Sequence, residues 1–291
     1  MKAAVFWGCC ILTDQLGYEM SVRETFPRLS LELIDLCESV CCGDPVKSIN
    51  DFAANYLGAR VLALANQTGL HDLFVPCNRC HFTISEAMRT VRQNQKAGRR
   101  IKELLKEEEL EYSHNIKVWH TIDLLHDFLG PEEIKKRVKV SLKGLKMASH
   151  VGCQIVRYGE LGRADDAENP RKLDELIRTL GAEAVDYAEK LDCCGSALMH
   201  SHRDSALSLA GSKLKTLQVL NVDGLVVSCP DCGLMFDAKQ KDTATIVGVK
   251  LDVPVLYYTQ LLGLALEIEE KKLGLHLNQS PIDHLLAKIS A

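Results

Sequence analysis

Apolar residues recur along this chain in short, evenly placed runs. "KAAVFWGC" (2–9), "HDLFVPCNRC" (71–80), "LKMASHVGC" (145–153) and "DGLVVSCPDC" (223–232) each carry a compact apolar stretch that stops at a cysteine, and each predicts a buried β-strand. Between them the apolar spacing turns helical, in "NDFAANYLGARVLALANQTG" (50–69) and "RDSALSLAGSKLKTLQVLN" (203–221). A further helix is expected after each C-x-x-C element, followed by the apolar segments "IKVWHTIDLLHDFLG" (116–130) and "VPVLYYTQLLGLALEI" (253–268). Strand and helix thus alternate, and the expected fold class is α/β with parallel-type sheets. In such sheets ligand-bearing loops gather at the carboxyl ends of strands, where these cysteines fall.

The order of elements repeats once. The join falls near residues 130–147, where "GPEEIKKRVKVSLKG" supplies Gly, Pro and charge, so two similar halves are expected, 1–140 and 141–291. No linker is long or low in complexity, and the halves are expected to pack together. The tail "GLHLNQSPIDHLLAKISA" reads as a loop and a short amphipathic helix.

Composition narrows the function classes. Thirty-five basic against 39 acidic residues give a net charge of −4, with no basic stripe of the kind that tracks nucleic acid. The charged run "KAGRRIKELLKEEELEY" (96–112) interleaves both signs and reads as a solvated helix face. No apolar run approaches the ~18–20 residues of a membrane-spanning helix. The start, "MKAAVFWGCCILTDQ", has one Lys and no small-residue cleavage site, so a buried first strand is expected there and the protein is read as cytoplasmic. Twelve cysteines in such a chain point to metal or redox chemistry rather than disulfide staples.

Those cysteines form a register. Setting aside Cys10 and Cys37, the first half has Cys9, a gap of 31, Cys41-Cys42, a gap of 34, then Cys77-x-x-Cys80. The second has Cys153, a gap of 39, Cys193-Cys194, a gap of 34, then Cys229-x-x-Cys232. Each adjacent pair precedes a Gly, and each lone cysteine follows one. Buried packing suits Cys10 and Cys37 but not ten cysteines in register. Adjacent cysteines are poor disulfide partners. Structural zinc takes four thiolates from knuckles ~15–20 residues apart, whereas these C-x-x-C pairs stand 152 residues apart; zinc in one half would leave a cysteine over. Thiolates are the usual ligands of iron–sulfur clusters, but the ferredoxin run C-x2-C-x2-C-x3-C-P is absent, and five ligands suggest a cluster with a sulfur bridging two irons.

The set "GCC" (8–10), "CCG" (41–43), "CNRC" (77–80), "GC" (152–153), "CCG" (193–195) and "CPDC" (229–232) resembles the CCG-domain family and, over nearly the full chain, the heterodisulfide reductase branch of that family, at its B-type subunit. The segments "VPVLYYTQLLGLAL" and "LGLHLNQSPIDHLLAKI" resemble the C-terminal region of that branch. The resemblance implies two non-cubane [4Fe-4S] clusters, one held by Cys9, Cys41, Cys42, Cys77 and Cys80, the other by Cys153, Cys193, Cys194, Cys229 and Cys232. It implies a disulfide such as CoM-S-S-CoB lying between the clusters and split homolytically, one electron from each. It also implies a small ferredoxin-like iron–sulfur partner (C-like) and a flavin-bearing partner (A-like), since the chain has no ferredoxin or G-x-G-x-x-G motif of its own.

Other positions stay open on the residues alone. Arg79 either attracts an anionic substrate or pairs locally. His81, His150, His200 and His202 stand near the cysteines and are candidate proton donors to departing thiolates, against an ordinary structural role. Two further readings belong to other classes: an electron-relay or membrane-associated subunit of a quinone-linked succinate or fumarate reductase, and a scaffold holding structural zinc.

Overall fold

The computed structural model describes residues 1–157 and 164–290; residues 158–163 and Ala291, all within the expected second half, lie outside the described residues. The first half builds strands β1 (Lys2–Val5), β2 (Glu32–Asp35), β3 (Asp72–Phe74) and β4 (Lys117–Trp119), joined in the order β2-β1-β3-β4. The second builds β5 (Lys146–His150), β6 (Glu183–Val185), β7 (Gly224–Val227) and β8 (Val255–Tyr257), in the order β6-β5-β7-β8. Every pairing is parallel, so the two sheets repeat one topology. The apolar runs supply β1, β3, β5 and β7, of which β7 is buried along its whole length. A parallel strand covered on both faces has no solvated side, which is why these read as continuous apolar stretches.

The outer strands β2 and β6 are partly exposed, with alternation too short to announce a strand from sequence. On the first edge Glu32 pairs with Lys2 at 2.9 Å. Both strands of the edge pair are charged there, which suits a solvent-facing sheet margin.

The helices are α1 (Gly8–Thr13), α2 (Leu16–Arg28), α3 (Asp51–Gln67), α4 (Asn78–Gln93), α5 (Gln95–Glu107), α6 (Thr121–Asp123), α7 (Pro131–Lys135), α8 (Lys172–Thr179), α9 (Arg203–Val219), α10 (Pro230–Gly233), α11 (Gln240–Val247), α12 (Tyr258–Ala265) and α13 (Asp283–Ser290). The expected helices over 50–69 and 203–221 are α3 and α9; the charged run forms α5, and the tail closes on α13. Asn50 caps α3 by accepting the Ala53 N–H at 3.0 Å. Two π-helical turns, Leu124–Leu129 and Leu234–Ala238, interrupt what sequence spacing presents as continuous helix.

One hydrophobic core runs through both halves. Its seam is α2 of the first half against α12 and β8 of the second. Tyr18 stacks on Tyr257 with ring centroids 4.1 Å apart and planes 4° from parallel. Ser21 and Thr259 share a hydrogen bond of 2.6 Å, and the Tyr257 hydroxyl donates to Gln15 at 2.6 Å. Among the described residues no helix is long and apolar enough to cross a membrane.

Candidate metal centres

The cysteines come off the carboxyl ends of equivalent strands. Cys9 and Cys153 follow β1 and β5 within a few residues, and Cys77 and Cys229 follow β3 and β7. The pairs Cys41-Cys42 and Cys193-Cys194 sit further out, on loops after β2 and β6. Cys77 and Cys229 are the N-cap residues of α4 and α10, so each C-x-x-C wraps one helical turn and turns both thiols to one side.

Each adjacent pair is set by its glycine. Gly43 and Gly195 have φ of +100° and +89°, a region costly for any residue with a side chain. A Cβ on either would come within 2.6 Å of Ala54 O or 2.4 Å of Ala206 O, so helices α3 and α9 press directly on the two turns. The Gly43 N–H points at Cys41 Sγ and the Gly195 N–H at Cys193 Sγ, both at 3.4 Å. The glycines before the lone cysteines play a second part. A Cβ on Gly8 would lie 2.8 Å from Cys80 Sγ, and one on Gly152 would lie 3.5 Å from Cys232 Sγ. The missing side chain at Gly8 clears the space in front of Cys80, whereas at Gly152 a Cβ would strike Asn78 Nδ2 at 2.5 Å, so that glycine makes room for a contact between the halves.

All twelve cysteines are free thiols. Cys42, Cys77, Cys80, Cys194, Cys229 and Cys232 are buried; Cys41, Cys153 and Cys193 are half-buried and Cys9 is exposed. Within the first set Cys41 and Cys80 hydrogen-bond to Cys42 and pull its thiol down to about 3. Those same bonds push Cys41 and Cys80 up. In the second set Cys153 and Cys194 do this for Cys193, brought down to about 2. Each set therefore has one sulfur already favoured as thiolate, the form that binds metal. Among the described residues no three His, Cys, Asp or Glu side chains converge on one point as a preformed single-ion site. The thiols instead stand in hydrogen-bonded chains, Cys41–Cys42–Cys80–Cys77 in the first half and Cys153–Cys193–Cys194–Cys232–Cys229 in the second, while Cys9 stays exposed beside the first chain. A five-thiol donor set of this kind fits an iron–sulfur cluster, whose irons are spread over several ångströms, better than one tetrahedral ion.

The two sets adjoin across the seam. The Tyr18 hydroxyl lies 3.4 Å from Pro76 O and 3.2 Å from Ser228 O, the carbonyls immediately before Cys77 and Cys229, and 2.7 Å from Thr121 Oγ1. Asn78, inside the first C-x-x-C, donates to Val151 O of the second half at 2.9 Å, and its buried Oδ1 has no partner. Arg79 stands 3.3 Å from Asp44, which follows Cys41-Cys42-Gly43, and 3.3 Å from Asp231 inside the second C-x-x-C. Of its two open readings, the structure shows the ion pairs, and they span the halves. Burial nevertheless raises both carboxyls, more than Arg79 lowers them.

The remaining candidates separate. His81 and His150 are buried, and burial holds both below the ordinary imidazole range, His81 at about 4. Neither carries an imidazolium proton at neutral pH. His200 and His202 are exposed beyond the second pair. Cys37 is exposed, not packed as expected, because it lies past the end of an edge strand where nothing covers it. Cys10 is half-buried; burial first, then the charges of Asp231, Cys77 and Cys229, push its thiol up, which places it beside both sets. Sequence reasoning missed Tyr18, Asp44 and Asp231. Only the repeat carried a signal for one of them, since Asp231 occupies in "CPDC" the place of Arg79 in "CNRC".

This is a duplicated α/β protein whose halves bring five thiols each to a common seam. The chain belongs to the CCG cysteine-rich domain family, which matches it over residues 3–85 and 147–237. It is 31% identical to the B-type subunit of the Ferredoxin/F(420)H(2)-dependent CoB-CoM heterodisulfide reductase of Methanosarcina acetivorans, across 99% of this chain and 97% of that one. It is 28% identical to a protein of Archaeoglobus profundus that is itself named for its likeness to that heterodisulfide reductase subunit, across 99% and 98%. It is also 29% identical to the 8-methylmenaquinol:fumarate reductase membrane anchor subunit of Wolinella succinogenes, across 94% and 95%. A hypothetical protein from Helicobacter pylori shares the fold, with a TM-score of 0.74 at 18% identity over 97% of this chain; the match spans 52% of that protein.

Proposed function

We propose that the chain is the disulfide-reducing iron–sulfur subunit of a cytoplasmic heterodisulfide reductase-like complex. Cys9, Cys41, Cys42, Cys77 and Cys80 hold one non-cubane [4Fe-4S] cluster, and Cys153, Cys193, Cys194, Cys229 and Cys232 hold the other; residues 1–140 and 141–291 are the two cluster-bearing units. The carrying observation is that Tyr18 ties the carbonyls before Cys77 and Cys229 to one hydroxyl, so the two thiol sets face one seam. Two one-electron centres, when bound, supply the two electrons that a disulfide takes up.

The protein's own side chains set the terms at that seam. Gly8 leaves open the approach to Cys80, and Gly152 makes room for the Asn78 amide from the other half. Arg79 is committed to Asp44 and Asp231, so it fixes the spacing of the halves and is not a free cation for a polyanionic substrate. His200, exposed and six residues beyond Cys194 in the chain, is the candidate for delivering a proton from solvent to a departing thiolate. Electrons arrive from a ferredoxin-like (C-like) iron–sulfur partner and a flavin-bearing (A-like) partner. The substrate class is a small-molecule disulfide, of which CoM-S-S-CoB is the type suggested by the names of the relatives.

The test is viologen-driven reduction of disulfides by the intact complex. Stoichiometric release of two thiols per disulfide, abolished by Cys42→Ala, is the expected result. A second reading is favoured by the Wolinella relative, in which this protein relays electrons between a quinol and fumarate at a membrane. Quinol-linked fumarate reduction with no disulfide reduction would establish it over the first.

A further inference from the structure

Lys213, in the middle of α9, is fully buried at 0% exposure. Its ammonium donates to the carbonyls of Glu189 and Lys190 and to His150 Nδ1, the last at 3.2 Å. The Tyr187 and Phe236 rings lie 5.3 and 5.9 Å away. None of these groups carries a negative charge. An ammonium taken out of water without an anion is expensive, and burial pushes this one down to about 8. Glu189 and Lys190 lie on the loop that leads into Cys193-Cys194, and His150 stands three residues before Cys153, so the ammonium sits against the backbone that carries the second cysteine set.

The repeat provides an internal control. Gly43 against Ala54 and Gly195 against Ala206 fix the register of α3 on α9. In that register Lys213 corresponds to Val61, and His150, before Gly152-Cys153, corresponds to Phe6, before Gly8-Cys9. Val61 and Phe6 are both buried at 1% exposure. The first set thus has an apolar wall behind it where the second has a charged one. Nothing in the packing of a helix requires the difference, since the first half builds the same turn with a valine.

We propose that Lys213 is the built-in counter-charge of the second cysteine set, stabilising the added negative charge of its reduced centre and making it the more readily reduced of the two. Electrons entering the protein then fill the second site first, and two sites built from one repeat become unequal. Lys213 is a positioning residue for charge; it keeps its proton and touches no reacting atom. His150 serves it as hydrogen-bond acceptor, which leaves the imidazole proton on Nε2.

The proposal rests on the reading that both sets hold redox-active clusters, and its test separates the two. Redox titration of the intact complex, followed by electron paramagnetic resonance, is run on wild type, Lys213→Met and Lys213→Gln. Two centres of different potential are expected in wild type, the higher one being lost in Cys193→Ala. In both Lys213 variants that centre becomes harder to reduce by tenfold or more, about 59 mV for one electron, while the other stays in place. Two centres that keep their potentials in both variants would overturn the proposal and leave the function standing. Loss of iron from the second set in both variants would make Lys213 structural and overturn it as well. A wild-type protein without clusters would instead sink the function it rests on.

Discussion

Asp123 is at odds with its surroundings. It is half-buried, and one buried carboxyl oxygen has no partner. Burial, opposed only in part by the His120 and Leu124 backbone N–H groups, raises it to about 7. A carboxyl raised in the folded state contributes fully below its unfolded value near 4, and that contribution is lost as pH climbs toward 7. Asp123→Asn is therefore expected to stabilise the protein at pH 8 by on the order of 3 kcal/mol and to change little at pH 4. Denaturant midpoints at the two pH values check this; an equal shift at both would show that lost hydrogen bonds dominate. At this scale sequence legibility divides sharply. The ten register cysteines and the two CCG glycines stood out because spacing alone marks them. Lys213 did not, because a lysine within "SLAGSKLKTLQ" looks like any solvated helix position until the helix is docked. Asp44 was equally silent, since its partner Arg79 comes from a distant segment, while Asp231 was marked only by its place opposite Arg79 in the repeat.

Elements were legible in proportion to how completely they are buried. Strands β1, β3, β5 and β7, and helices α3 and α9, carry long apolar patterns and could be placed from sequence. The edge strands β2 and β6 could not, because three or four half-exposed residues carry too little periodicity. The π-helical turns after α6 and α10 were hidden for another reason: one inserted residue shifts register without changing composition. Helix α2 matters most to the seam and was not read at all. Its Tyr18 stacks on Tyr257 and reaches both C-x-x-C approaches, work that a lone aromatic in "QLGYEMS" does not advertise. Tyr18→Phe keeps the stack and removes the hydroxyl, leaving Ser228 O and Pro76 O with weaker anchoring. A loss of about 1–3 kcal/mol is expected, the cost of a buried polar group left short of a partner. Hydrogen exchange should then show faster opening around residues 76–80 and 228–232 together. Opening of one loop without the other would mean the hydroxyl does not couple them.

The whole molecule is a repeat whose halves share one core but differ in charge. Parallel topology, strand order and the glycine-set turns are common to both. The Arg79 of one C-x-x-C faces the Asp231 of the other, and a buried lysine backs only the second set. Duplication supplies two thiol sets at one seam, and the differences leave them unequal in charge. Everything in the functional account rests on those sets holding iron. The most direct measurement is iron, acid-labile sulfide and zinc per chain in the anaerobically purified complex, for wild type, Cys42→Ala and Cys194→Ala. About eight irons attributable to this chain, reduced to about four by either substitution, is the result expected for two independent [4Fe-4S] sites. Zinc in place of iron, or an iron content that neither substitution lowers, would contradict the account.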